Sequence, residues 1–225
     1  MYDLFTFKLP DFQFALLRSD AFDHGAVVIH PEEIELLNTR SNPKRKNEFL
    51  GVRHLRNQLK IKSPILYYSN GRPYFSANEL ALSISHTKDF IALASAVFPI
   101  GIDIEQKDRD AARIINKFAR EDEKVLCNNN PKEWYLQLWC AKEAIYKLVG
   151  IENLSFKNEI QIHTRQKEEE TTFLSATIDR CTQKHEIEVQ IRDTADLHMA
   201  VANFKVGPWG SCLVPSPNVW AHLQI

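Results

Sequence analysis

Apolar residues recur at helical spacing in two long stretches and alternate at strand spacing in several short ones. The run PKRKNEFLGVRHLRNQLK, opening at Pro43, sets Phe49, Val52, Leu55 and Leu59 three and four residues apart, which predicts an amphipathic helix. Its other side carries Lys44, Arg45, Lys46, Arg53 and Arg56, a solvated basic face or a phosphate cradle. A second long helix is expected from Pro131 to about Val149, capped by Asn130 and stopped by Gly150. Trp134, Leu138, Ala141, Ile145 and Leu148 form its apolar stripe. A shorter helix, PEEIELLN at residues 31–38, has Pro in its first turn with acids behind it.

Strand patterns fill much of the remainder. Residues 4–7, 12–17 and 26–30 are candidates near the start, followed by 65–68, 80–85 and 89–98. The stretch FIALASAVF is almost wholly apolar, so it is expected in the middle of a sheet. In IGIDIE the isoleucines share one side and Asp103 and Glu105 share the other, because strand side chains alternate. The polar segment 108–130 suggests two short helices, near 111–118 and 121–126. Four strands are expected after the second long helix, at 155–163, 171–179, 186–192 and 197–205, and a Pro/Gly-rich tail, GPWGSCLVPSP, follows. A basic helix before FIALASA and a second helix before LHMAVANF make a faint internal echo.

Composition narrows the class. The chain has 225 residues, 44% of them hydrophobic, enough for one large domain or two small ones. Lys and Arg number 28 against 29 Asp and Glu, so no bulk attraction to nucleic acid or membrane is expected and anion binding must come from local clusters. The four cysteines, Cys127, Cys140, Cys181 and Cys212, form no CxxC pair, which argues against a zinc site or disulfide framework and for a reducing cytosol. MYDLFTFKLPDFQF lacks a basic start followed by a long apolar run, and no stretch nears the roughly 18 apolar residues of a membrane span. A cytoplasmic protein is expected.

Two segments carry the chemistry. Asp103 and Glu105 repel each other unless water screens them or a cation lies between, and oxygen-only donors favour a hard divalent ion. In WCAKEAIYKLVG, Glu143 and Lys147 sit one turn apart on one helix face, pairing an acceptor for a metal or proton with a cation for a phosphate. Alone, each of these has an ordinary reading, as solvated acids or a surface ion pair worth about 0.3–0.5 kcal/mol.

In the order SISHTKDFIALASA, GIDIE, WCAKEAIYKL, the sequence resembles the 4′-phosphopantetheinyl transferase superfamily. Gly101-Ile102-Asp103 and Trp139–Lys147 fill the signature positions, and chain length with Ser85-His86 points to the Sfp-type branch of two fused halves. The resemblance covers about residues 43–150. It implies that Asp103, Glu105 and Glu143 bind Mg²⁺, with Mn²⁺ left open. It further implies that Lys147 and Lys142 contact coenzyme A phosphates, with His86 at the same group and Ser85 beside it. Arg72 and Pro73 match a Lys-Pro element near the adenine, the Arg keeping charge but changing its geometry. Arg45, Lys46 and Arg53 fall where that branch places basic residues for the 3′-phosphate, Arg53 aligning best.

The implied reaction is attack by a serine hydroxyl of an apo acyl or peptidyl carrier protein on the β-phosphorus of coenzyme A, releasing 3′,5′-ADP. Glu143, directly or through a metal-bound water, takes the serine proton, while Mg²⁺ and Lys147 neutralise the pyrophosphate. A non-catalytic binder of coenzyme A or carrier protein is the alternative, and a Mg²⁺-dependent phosphohydrolase a third reading; GxxxxGK[ST] is absent. Arg113, Lys117, Arg120 and Lys124, with apolar Phe118, are candidates for carrier docking. The expected architecture is α+β, with two pseudo-repeated halves, residues 1–99 for the nucleotide and 100–225 for the metal and catalysis. Each half is a small, mainly antiparallel sheet packed on a long helix, with coenzyme A in the cleft between them and the chain a monomer.

Overall fold

The structure is a computed structural model that describes residues 2–5, 7–77, 79–127, 129–180 and 183–205. The proline-rich tail, Cys181 and Cys212 lie outside the described residues. The chain is mixed α and β with antiparallel sheets, and it forms two compact units, one ending at Phe98 and the other beginning at Pro99.

The first unit runs β1 (Tyr2–Leu4), β2 (Phe12–Arg18), α1 (Pro31–Asn38), α2 (Pro43–Gln58), β3 (Ile65–Tyr67), β4 (Pro73–Phe75), β5 (Ala81–His86) and β6 (Phe90–Ala96). Its main sheet has the order β1-β2-β6-β5, all neighbours antiparallel, and β3 pairs with β4 separately. Every residue of β6 is buried, which its unbroken apolar run requires of a strand between two neighbours. Helix α2 opens at Pro43, with Asn42 Oδ1 accepting the Lys44 and Arg45 amides. It buries Val52 and Leu55 against Ala15, Leu17, Ile91 and Leu93.

Two local expectations fail for physical reasons. Residues 26–30 read as a strand from Val27-Val28-Ile29, yet the chain makes a short 3₁₀ turn at His24–Ala26 and then runs extended and unpaired in any sheet to α1. Arg56 Nη2 and Asn57 Nδ2 donate to Val28 O at 2.6 and 3.4 Å, so side chains of α2 satisfy a carbonyl that a strand neighbour would otherwise take. The strand at Pro73–Phe75 was not expected. Gly71, at φ +82, reverses the chain, Tyr68 and Arg72 pair through their backbones, and Pro73 opens the returning strand.

The second unit runs β7 (Ile100–Gln106), α3 (Ile115–Phe118), α4 (Glu121–Lys124), α5 (Pro131–Val149), β8 (Ile160–Glu168), β9 (Thr171–Arg180), β10 (Gln183–Asp193) and β11 (Leu197–Phe204). The sheet order is β7-β11-β10-β9-β8, antiparallel throughout. Asn130 caps α5 through the Glu133 amide, and Gly150, at φ +64, ends it. The stripe Trp134, Leu138, Ala141, Ile145 and Leu148 is fully buried.

Helix α5 lies on β7 so closely that only glycine fits at position 101. A Cβ there would meet the Ala144 carbonyl oxygen at 2.0 Å and the Leu148 nitrogen at 2.4 Å. Both are backbone atoms, which cannot rotate aside. Gly101→Ala is therefore expected to destabilise the fold by about 1–3 kcal/mol, read by urea unfolding, and to lower activity with it. Unchanged stability would mean that the helix does not press on the strand there. The close approach places α5 side chains directly beside Asp103 and Glu105, two and four residues further along the same face of β7.

Candidate active site

Asp103 and Glu105 project from β7 on the side of α5, and both are buried. From α5 come Trp139, Glu143 and Lys147, at helical spacing. Lys147 Nζ bonds Asp103 Oδ1 at 2.7 Å. Trp139 Nε1 donates to Glu105 Oε1 at 2.7 Å, and Arg109 Nη1 bonds the same oxygen. Cys140, fully buried, sets its Sγ 3.4 Å from the Asp103 carbonyl; burial pushes that thiol well up, so it is no nucleophile at neutral pH.

The three acids sense one another. Burial pushes the Glu143 carboxyl up to about 7, helped by the charges of Asp103 and Glu105 and opposed by Lys147 and Arg109. Burial likewise raises Glu105, with Asp103 adding to it, against the hydrogen bonds from Arg109 and Trp139. The neighbouring carboxylates of Asp103, Glu105 and Glu143 form an oxygen-only, anionic donor set, which fits a hard divalent cation such as Mg²⁺. Without one, Asp103 is held by Lys147 and Glu105 by Arg109 and Trp139. Sequence reasoning gave no role to Arg109 or to the Trp139 indole. Arg109 stands four residues after Glu105, and Trp139 is the aromatic residue opening the second motif, so both left a trace in the spacing.

In the first unit the structure brings some of the expected phosphate contacts together and removes another. Arg45 Nη1 lies 3.3 Å from His86 Nε2, and Glu48 Oε2 sits between them at 2.9 and 3.6 Å. Ser85 precedes His86 on β5 and is buried. Lys46 is exposed on the same helix turn as Arg45. Arg72 follows Gly71 in the turn before β4, its amide on Asn70 Oδ1 at 3.0 Å and Pro73 next to it.

Arg53 is a correction. Its side chain is 0% exposed, stacked with its guanidinium carbon 3.5 Å from the Phe49 ring centroid. Its nitrogens are spent on Glu33 Oε1 at 3.0 Å, the Ile65 carbonyl at 2.8 Å and the Tyr67 hydroxyl at 3.2 Å. Arg56 binds both oxygens of the same Glu33, at 2.7 and 2.8 Å. Burial alone would raise the Glu33 carboxyl, but the hydrogen bonds from Arg56 and from the His30 and Ile65 amides hold it below its ordinary value. The basic face of α2 is thus divided. Its first turn stays at the surface, while Arg53 and Arg56 close an internal ion cluster that ties α1, α2 and β3.

Lys142 is the second correction. Its ammonium is buried and surrounded by four acceptors, namely Glu123 Oε2 at 2.7 Å and the carbonyls of Phe118, Phe156 and Ile160 at 2.8–2.9 Å. An ammonium has three protons, so no donor remains for a phosphate. Burial lowers the Lys142 pKa, and Glu123 opposes that shift. Phe118 also leaves the expected docking surface. It is 2% exposed and meets Trp139 edge-on at 5.0 Å. Arg120 is engaged with Asp122, and Lys124 with Glu121 and Asn116.

The sequence profile of the 4′-phosphopantetheinyl transferase superfamily matches residues 99–202, from the start of β7 into β11. Across these residues, a little under half of the chain, the second unit is similar to that superfamily. A relative described as 4′-phosphopantetheinyl transferase gsp, from Aneurinibacillus migulanus, is 29% identical over 92 residues. That match spans 38% of this chain and 38% of the relative's length. Among the described residues, no helix is long and apolar enough to cross a membrane.

Proposed function

We propose that this protein is an Sfp-type phosphopantetheinyl transferase, moving the 4′-phosphopantetheine arm of coenzyme A to a serine of an apo acyl or peptidyl carrier protein. The observation that carries this reading is the convergence of Asp103, Glu105 and Glu143 beside Lys147, on the two motifs that fall inside the superfamily match. Asp103, Glu105 and Glu143 would hold Mg²⁺ or Mn²⁺, and the bound ion would supply Lewis-acid neutralisation of the pyrophosphate. Lys147, on the partly exposed rim of the cluster, adds positive charge for the same group. Glu143, whose proton affinity lies near neutrality, serves as the acceptor for the serine proton, directly or through water. Arg45, Lys46 and His86 remain the proposed phosphate contacts of the first unit, with Ser85 alongside and Arg72-Pro73 near the adenine. The units are read as pseudo-repeats and the chain as a cytoplasmic monomer.

The direct test is to incubate the protein with coenzyme A, Mg²⁺ and a panel of apo carriers, and to weigh each carrier. Gain of one phosphopantetheine on the carrier serine, with release of 3′,5′-ADP, supports the reading. Free phosphopantetheine formed without a carrier would make the protein a hydrolase, and binding without conversion would make it a non-catalytic module.

Metal and proton compete for Glu143, which fixes a sign. Its folded carboxyl holds a proton up to about 7, against an ordinary value of 4.5, so without metal this group's contribution falls as pH rises through that window. A cation on the ionised carboxylate relieves that loss. Mg²⁺ is therefore expected to raise the melting temperature more at about pH 8 than at about pH 6, and Glu143→Gln to shrink the difference. Equal shifts at both pH values would remove Glu143 from the metal set.

Arg113 and Lys117, both exposed, are the proposed contacts for an acidic carrier. Reversing both charges is expected to raise KM for the carrier about tenfold or more, leaving KM for coenzyme A unchanged. Unchanged carrier KM would reject this surface.

A further inference from the structure

On the same side of the second unit's sheet, toward the start of α5, lies a different polar cluster that the transfer chemistry does not use. Glu133 and Gln137 stand one turn apart on α5. Asp193 ends β10 and His198 lies in β11, paired across the hairpin in register. His198 is buried, and its Nδ1 lies 2.6 Å from Asp193 Oδ1. Glu133, Asp193 and His198 each bring one ligand-type atom to within 4.8 Å of the other two.

A second observation points the same way. Gln137 is 2% exposed and donates its amide nitrogen to Asp193 Oδ2 at 3.2 Å, while its amide oxygen is buried without a hydrogen bond. An unmet buried carbonyl costs roughly 1–3 kcal/mol, so a buried amide beside the cluster keeps an acceptor in reserve. Burial alone would raise the Asp193 carboxyl, but the His198 hydrogen bond and the charges of His198, Lys107 and Lys167 hold it low, so it is ionised at neutral pH.

We infer that Glu133, Asp193 and His198 form a second divalent-metal site, with the Gln137 amide oxygen as an available fourth donor. It is chemically distinct from the all-carboxylate set around Asp103. One imidazole nitrogen and two carboxylates favour a first-row transition ion, zinc above magnesium. An ion bound at Nδ1 would leave the neutral imidazole its one proton on Nε2, any second ring proton passing to solvent, and Asp193 would turn its carboxylate to the metal. The site joins the start of α5 to the β10–β11 hairpin. Because His198 is the register partner of Glu105, it would brace the strand end that carries the candidate catalytic acids.

The test is zinc titration of the intact protein, followed by the ¹⁵N shifts of the His198 ring. Zinc is expected to move the bonded ring nitrogen of His198 to the metal-bound range and to raise the melting temperature. Glu133→Gln and Asp193→Asn, both at the more exposed side of the cluster, are expected to weaken that response at least tenfold while the protein stays folded. His198 ring shifts unchanged at saturating zinc would overturn the proposal, since carboxylate sites elsewhere cannot supply a histidine signal. So would zinc affinity unchanged in both folded variants.

Discussion

Lys142→Met is expected to destabilise the protein by about 3–5 kcal/mol, a loss large enough to leave a typical domain of about 5–15 kcal/mol marginal. Methionine fills a similar volume, so the effect isolates charge and hydrogen bonding. It leaves Glu123 buried without its cation and strips the carbonyls of Phe118, Phe156 and Ile160 of a donor. Glu123 keeps the Arg120 and Ile162 amides at 2.8 Å, which limits the damage to the ion pair and the three carbonyls. The double variant Lys142→Met, Glu123→Gln should recover part of the loss, because no uncompensated buried charge remains. Urea unfolding of the three proteins measures this. Stability unchanged in the single variant, together with a raised KM for coenzyme A, would return Lys142 to the phosphate site.

Glu143→Gln is expected to do the opposite, sparing the fold and abolishing transfer. Glu143 is partly exposed and its carboxylate stands in a field of two other acids, so neutralising it relieves repulsion. The protein should melt no lower than the parent in metal-free buffer. Transfer should fall by about 10²–10⁴, the usual worth of a positioned acid or base, and further if the cation is lost with it. Circular dichroism and the carrier-mass assay together check both halves. A folded Glu143→Gln protein that transfers at the parental rate would exclude this residue from the chemistry.

Much of the site was legible because its residues are spaced by simple periods. Asp103 and Glu105 share a strand face at a period of two, and Glu143 and Lys147 share a helix face at one turn. Gly101 stood in the sequence only as a signature position, and its packing against the backbone of α5 at Ala144 and Leu148 came from the fold. What pattern could not reveal was which basic residues keep their charge at the surface. Arg45 and Arg53 belong to one helix and to one run of cations. Only the third dimension brings Glu33 of α1, twenty residues before Arg53, into the core to consume two guanidinium groups. Lys142 stands beside Glu143 in sequence, but one step along a helix turns a side chain by about a quarter circle. That rotation takes it away from Asp103 and into the carbonyls around Glu123. The strand expected at 26–30 failed similarly, since side chains from α2 took its backbone carbonyl.

In the proposed site, three acids from two elements share one cation beside Lys147. Diffraction from crystals soaked in Mn²⁺ and coenzyme A, recorded at the manganese edge, would locate that cation. An anomalous peak is expected within coordination distance of Asp103, Glu105 and Glu143, with pyrophosphate oxygens completing the sphere and Lys147 beside them. A structure with coenzyme A bound and no manganese among these three carboxylates would contradict it.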